Sequence, residues 1–301
     1  MHTLLAPTQT AERLPWAALV DEIEALLRDP AVRVPERIIL PTAQGAVLFV
    51  MPAADARVAM TKLISFTPAN AGTDTPTIQG DVTVFDVASG TRRLILDGPT
   101  ITARRTAAVS ALAARRLAPN ATGPMLIVGA GVQARAHVEA FAAVLGVRDF
   151  RIASRRRASA EPLAAHAQSL GLQAQAIDDA DAALADCPLV ATCTPASAVV
   201  LRGPARPDAF IAAVGAFTPR MIELDGALCR AIAAQGRIVI DTPDAEHEAG
   251  DLIQAGVPVA GLPTLAQVVA ADEKPARGPV LFKNCGWAGW DLAAARLALG
   301  E

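Results

Sequence analysis

Residues 125–136, MLIVGAGVQARA, pass from four apolar residues straight into Gly129-x-Gly131-x-x-Ala134 and then into a helical pattern. This is the order of a phosphate-cradling turn between the first strand and helix of a βαβ unit. Gly129 lets the backbone turn sharply, Gly131 removes a side chain that would block a pyrophosphate, and Ala134 is small enough for the helix to pack on the sheet. The helix start at Val132 and Gln133 turns its backbone N–H groups toward an anion. An ordinary strand-to-helix turn also tolerates this string. Its setting between a strand over 125–128 and a helix over 133–145, closed by Gly146, favours a nucleotide site.

The choice between dinucleotides is read at the end of the next strand, over 150–153, where an NAD enzyme usually places an acidic residue against the ribose hydroxyls. Here Ser154, Arg155, Arg156 and Arg157 follow instead. Guanidinium groups give planar, charge-assisted donors to phosphate oxygens, so the run favours the 2′-phosphate of NADPH over NADH. The competing reading is a solvated basic turn.

A chain of 301 residues is long enough for two domains or one large α/β domain. A net charge of −3 argues against a general nucleic-acid binder, which needs a concentrated basic surface. No apolar run reaches bilayer length and no leader pattern is visible, so no membrane partner and a cytoplasmic location are expected. Cys187, Cys193, Cys229 and Cys285 lack metal-ligand spacing, and His2, His137, His166 and His247 are scattered. No metal site is expected.

The chain has no tyrosine, which excludes a mechanism in which a tyrosine hydroxyl delivers the proton. Its three lysines are Lys62, Lys274 and Lys283. Lys62 follows Val58, Ala59, Met60 and Thr61, an apolar context in which an ammonium is costly unless paired or used. It is therefore a candidate catalytic group.

From about 119 to 283 the pattern alternates strands and helices, as a parallel sheet requires. After the elements above, helices are expected over 159–170 and 179–184, and strands over 172–177, 189–193, 210–214 and 237–241, with a short segment near 257–260. Earlier, a helix over 16–28 precedes β-like runs at 37–40, 46–49, 59–64, 80–86 and 92–96, with turns at 43–45 and 88–90. These read as an antiparallel sheet feeding a helix over 100–117. An Ala-rich helix over 287–299 closes the chain. The expected class is α/β: a Rossmann-type doubly wound parallel sheet over 119–283, plus an α+β substrate-binding and dimerisation domain from 1–118 with 284–301.

Three basic residues of the first part stand in distinctive settings: Arg37 opening a strand, Lys62 within or ending one, and Arg105 at a helix start. Further segments are Lys62 with the 68–76 loop and Gln79-Gly80, Phe85-Asp86 with Ser89-Gly90, and Asp97-Gly98 leading to Thr102 and Arg105-Thr106-Ala107-Ala108. Later come Thr192-Cys193-Thr194-Pro195, Gly215-Ala216 with Pro219, Glu223-Leu224, Glu248 before Gly250-Asp251-Leu252, and Phe282-Lys283-Asn284-Cys285-Gly286 with Asp291-Leu292-Ala293. In order and spacing these segments resemble the ornithine cyclodeaminase/μ-crystallin family over nearly the whole chain. The resemblance implies a homodimer joined through the first domains' sheets. It also implies that Arg37, Lys62 and Arg105 face the nicotinamide and hold a substrate carboxylate, that Thr106 helps bind cofactor phosphate, and that Thr192 and Thr194 line the nicotinamide side.

One departure sorts the family's activities. Ornithine cyclodeaminases carry an aspartate in the loop after the fifth strand, where this chain has Phe217. A phenyl ring takes no proton, which weakens the cyclodeaminase reading. Gly215-Ala216-Phe217-Thr218-Pro219 with Asn284-Cys285-Gly286-Trp287 looks like the bacterial branch that reduces Δ1-pyrroline-2-carboxylate and Δ1-piperideine-2-carboxylate to L-proline and L-pipecolate. On that reading Arg37 and Arg105 fix the carboxylate, Phe217 covers the flat ring, and Lys62, or secondly Glu248, supplies the proton. Ornithine cyclodeamination, alanine dehydrogenation and a μ-crystallin-like binding role stand as alternatives.

Overall fold

The computed structural model describes residues 3–70, 73–195, 197–275 and 277–300. Ala71 and Gly72 of the 68–76 loop, and His2, lie outside the described residues. The chain divides into two compact units, 1–105 with 287–301 and 106–286.

In the first unit, β1 (Thr3–Leu4), α1 (Pro7–Glu12) and α2 (Trp16–Leu27) precede a run of strands: β2 (Ile38–Pro41), β3 (Val47–Ala54), β4 (Val58–Phe66), β5 (Ile78–Asp86) and β6 (Arg92–Asp97). Among the described residues they form a six-stranded sheet in the order β1-β6-β5-β4-β3-β2. The meander β2 to β6 is antiparallel, while the short β1 adds to β6 in parallel. Side chains alternate as the pleat demands: Val58, Met60, Lys62 and Ile64 of β4 are buried on one face, whereas Leu63 between them is exposed. The last helix of the chain, Ala288–Leu299, packs on α2, β3 and β4 and buries Trp290, Leu292 and Ala293 completely. The helix α3 (Gly98–Leu117) follows β6, and the boundary between the units falls within it.

The second unit is a Rossmann-type doubly wound domain. Its main strands are β7 (Met125–Val128), β8 (Asp149–Ala153), β9 (Gln173–Ile177) and β10 (Leu189–Thr192), followed, after β11 (Ser197–Leu201), by β12 (Phe210–Ala213). After β13 (Ile222–Leu224) come β14 (Arg237–Ile240) and β15 (Val280–Lys283). Seven of these form a parallel sheet in the order β14-β15-β12-β10-β7-β8-β9, and β11 pairs with β13 in a small second sheet. Crossover helices include α4 (Val132–Leu145), α5 (Arg157–Ser169), α6 (Ala180–Leu184) and α7 (Gly226–Gln235). Strand order reverses direction between β7 and β10, so the crevice for a ligand lies beyond their carboxyl ends.

Two sequence expectations change. The segment near 257–260 is no strand: Val257 and Val259 are buried in the core, but Pro258 between them has no N–H for a ladder. The seventh strand is β15, four buried residues inserted between β12 and β14.

Candidate functional site

At the carboxyl end of the parallel sheet, Gly129 has φ +123° and its N–H donates to the carbonyl of Ala153 at 2.8 Å. A Cβ there would stand 2.8 Å from the Cys193 carbonyl oxygen, so glycine alone fits where β7 and β10 end side by side. Gly131, the N-cap of the 14-residue α4, is exposed, and a Cβ built on it meets nothing within 4 Å. The open space at a helix N-terminus is a cradle of the kind a diphosphate fills. Val132 is exposed beside it, Gln133 is half-buried, and Ala134 is fully buried against the sheet. At the end of the adjacent β8, Ser154 donates its hydroxyl to the carbonyl of Arg156 at 2.6 Å. The Arg155 and Arg156 side chains are exposed, whereas Arg157 is spent on Asp178 and Glu161. The donor set of this crevice fits a dinucleotide.

Thr192 and Thr194, at the end of β10, are both committed to Glu223. Its carboxylate accepts from the Thr192 hydroxyl at 2.9 Å, from the Thr194 N–H at 2.7 Å and hydroxyl at 2.9 Å, and from the N–H groups of Gly215 and Ala216 at 2.6 and 3.2 Å. Five donors around two oxygens hold the loops after β10 and β12 to one residue of β13. Asp251 extends the network: one of its oxygens accepts from the N–H groups of Glu223 and Leu224, and the other pairs with Lys283 at 2.9 Å. Burial pushes the Glu223 carboxyl up from its usual range, with the Lys283 charge pulling the other way. Burial also opposes the charge on Lys283, yet Asp251 and the other groups around it hold its ammonium above the usual lysine value. These residues lie in segments that carry the family resemblance, but no local pattern shows that they meet, because they come from the ends of β10 and β12, from β13 and β15, and from the short helix Gly250–Gln254.

In the same unit Thr106 is buried, and its carbonyl accepts from the Asn284 side-chain amide at 3.3 Å. Phe217 is half-buried in the loop after β12, and Glu248 ends a one-turn helix, Ala245–Glu248.

In the first unit the structure brings two of the three predicted basic residues onto one carboxylate. Lys62, near the middle of β4, is 2% exposed and places its Nζ 2.8 Å from Oδ2 of Asp291. Arg105, 6% exposed, directs its Nε to the other oxygen, Oδ1, at 3.2 Å. Asp291 itself is fully buried in the first turn of the last helix, where the helix dipole favours a carboxylate. Arg37 is half-buried immediately before β2, and its charge reaches Lys62. Burial lowers the Lys62 pKa to about 8, with Asp291 resisting and the Arg105 and Arg37 charges adding to the depression. The neighbouring Arg104 is used differently, donating to the Leu14 carbonyl at 2.9 Å and lying 3.9 Å over the Trp16 ring. Residue type and setting do not single out Asp291 for chemistry; the available signal is the one carboxylate of an Ala-rich helix whose other charged residue is Arg296.

Residues 2–299 match the model of the ornithine cyclodeaminase/mu-crystallin family. The chain belongs to that family. It is 38% identical over 295 residues to the Delta(1)-pyrroline-2-carboxylate/Delta(1)-piperideine-2-carboxylate reductase of Azospirillum brasilense, covering 96% of this chain and 92% of that protein. It is 34% identical over 292 residues to the ketimine reductase mu-crystallin of Mus musculus, covering 93% and 90% of the two chains. Among solved structures, the Delta(1)-pyrroline-2-carboxylate reductase of Thermococcus litoralis, in complex with NADH and L-proline, superposes with a TM-score of 0.89 at 23% identity, over 99% of this chain and 96% of that one. At that identity the agreement establishes the shared fold. Among the described residues no helix is long and apolar enough to cross a membrane, and no cluster of side chains suits a metal ion.

Proposed function

We propose that this chain reduces a cyclic ketimine carboxylate, Δ1-pyrroline-2-carboxylate to L-proline or Δ1-piperideine-2-carboxylate to L-pipecolate, with NADPH preferred over NADH. The coarse assignment, an oxidoreductase, rests on the reductases named above. The observation that carries the imine reading is a buried lysine set beside a guanidinium group on a shared carboxylate; the Ser154 to Arg156 run supports NADPH.

The first unit supplies the three basic substrate groups, and Glu248 and Phe217 belong to the second. Arg105 spends its Nε on Asp291, which leaves the two terminal nitrogens as a fork for a carboxylate, and Arg37 adds a second guanidinium. Lys62 is mostly protonated at neutral pH and gives the proton that the ring nitrogen gains as C2 takes hydride; Glu248 is the second candidate for that proton. Phe217 stacks over the flat ring and offers no carboxylate for amine chemistry.

The second unit supplies the dinucleotide site. Thr106, Gly129, Gly131, Val132, Gln133 and Ala134 hold the diphosphate, Ser154, Arg155 and Arg156 the 2′-phosphate, and Thr192 and Thr194 the nicotinamide side. When bound, a reduced nicotinamide supplies the hydride. A homodimer through the six-stranded sheet is supported by apolar exposed side chains that share one face of it, Ile38 and Leu40 of β2 with Leu63 of β4.

The test follows NADPH absorbance with each imine at neutral pH and repeats it with NADH. Consumption of NADPH, faster than NADH, is expected. Ammonia release from ornithine without net cofactor turnover would move the assignment to cyclodeaminase. Turnover of only pyruvate with ammonia would move it to alanine dehydrogenase, and NADPH binding without turnover to a binding protein.

A further inference from the structure

We propose that Asp291 is a positioning residue of the imine site: it spaces the Lys62 ammonium and the Arg105 guanidinium and keeps the lysine charged. This role rests on the reductase reading above. The three side chains come from strand β4, helix α3 and the last helix, 229 and 186 positions from Asp291 in sequence, yet they meet on one fully buried carboxylate. Each oxygen takes a different cation, Oδ2 the lysine at 2.8 Å and Oδ1 the arginine at 3.2 Å, so the carboxylate sets the separation between them. A carboxylate that served only to neutralise a buried lysine would not also need the Nε edge of an arginine. Engaging that edge fixes the guanidinium plane and leaves its terminal nitrogens for a ligand.

The charge count points the same way. Around Lys62, Asp291 of the last helix favours the charged form, against Arg105 from α3 and Arg37 before β2, while its own face of β4 carries Met60 and Ile64. Lys62 and Arg105 share one carboxylate, so the pair keeps a net positive charge for the carboxylate of the substrate. Removing Asp291 would take away the carboxylate that raises the Lys62 pKa while the Arg105 and Arg37 charges still depress it, and the ammonium would surrender its proton at lower pH.

The experiment compares wild type with Asp291→Asn and Asp291→Glu in imine reduction across pH, with thermal melting and NADPH binding as checks of folding. For Asp291→Asn we expect the alkaline fall in kcat/KM to move at least one pH unit toward acid, and KM for the imine to rise at least tenfold. Asp291→Glu should keep that fall near the wild-type position. A limb and KM unchanged in Asp291→Asn overturn the proposal, since a purely structural role would move neither selectively. Absence of imine turnover by the wild type strikes the functional reading; wild-type turnover with an unmoved limb strikes the Asp291 role alone.

Should Asp291→Asn fail to fold, Lys62→Met/Asp291→Asn is compared with Lys62→Met, because no buried ammonium is then left without its counter-charge. Calorimetry of L-proline binding to the NADP-loaded protein is the readout. At least tenfold weaker binding in the double variant supports control of Arg105 by Asp291, and equal binding overturns it.

Discussion

Two lysines in this chain are equally hidden from water and meet opposite fates. Lys62 is 2% exposed and Lys283 is not exposed at all. Lys62 has one carboxylate partner and two arginine charges nearby, and its pKa falls to about 8. Lys283 lies against Asp251, with Glu223 adding its charge, and its pKa rises above the ordinary lysine value. Burial alone therefore does not decide whether a lysine can exchange a proton near neutral pH; the balance of charges around it does. The first is the proton donor we propose; the second ties β15 to Asp251 and to the Ala213 carbonyl at the end of β12.

The most severe way to break the comparison is to remove each ammonium. Lys62→Met should lower kcat by about 10²–10⁴-fold, the usual worth of a positioned proton donor, with NADPH affinity little changed. Steady-state kinetics beside a cofactor titration checks this. Lys283→Met should instead act on stability, costing about 3–5 kcal/mol in denaturant unfolding because Asp251 and Glu223 lose their buried counter-charge.

The pH dependence sharpens the distinction. On the proposed mechanism protonated Lys62 donates the proton, so the rate should decline above about pH 8, and that limb should vanish in Lys62→Met. The stability signs are also opposite. A lysine whose folded pKa is depressed binds fewer protons folded than unfolded, so its penalty, full below pH 8, fades as pH climbs from there toward the unfolded value. Lys283, with a raised folded pKa, contributes stability that is complete below the unfolded value and disappears only at more alkaline pH. Unfolding curves from neutral to alkaline pH for the two Met variants and wild type separate these contributions.

The smallest expected effect lies away from both lysines. Arg156→Ala should weaken NADPH binding roughly tenfold and NADH binding hardly at all, the loss of one charge-assisted phosphate contact. Fluorescence titration with both cofactors is the measurement.

Much of the framework could be read without coordinates because local periodicity wrote it. The strand and helix around Gly129 and Gly131, the αL cap at Gly146 and the meander from β2 to β6 all follow from short-range patterns. Strand β15 escaped because three apolar residues and a lysine after a proline carry no period, and only their slot between β12 and β14 makes them a strand. The pairing of β11 with β13 escaped for the same reason.

Of the candidate site, sequence identified Arg37, Lys62 and Arg105 by residue type and setting, and Ser154 to Arg156 by their place after a strand. It could not show that Arg104 packs on Trp16 while its neighbour Arg105 turns to Asp291. By itself the sequence determined the residue types and the local elements that carry them, since those depend on neighbours a few positions apart. The tertiary structure alone decided which charges meet, and so which lysine can release a proton near neutral pH, because electrostatic partners in a buried cluster are chosen by distance in space.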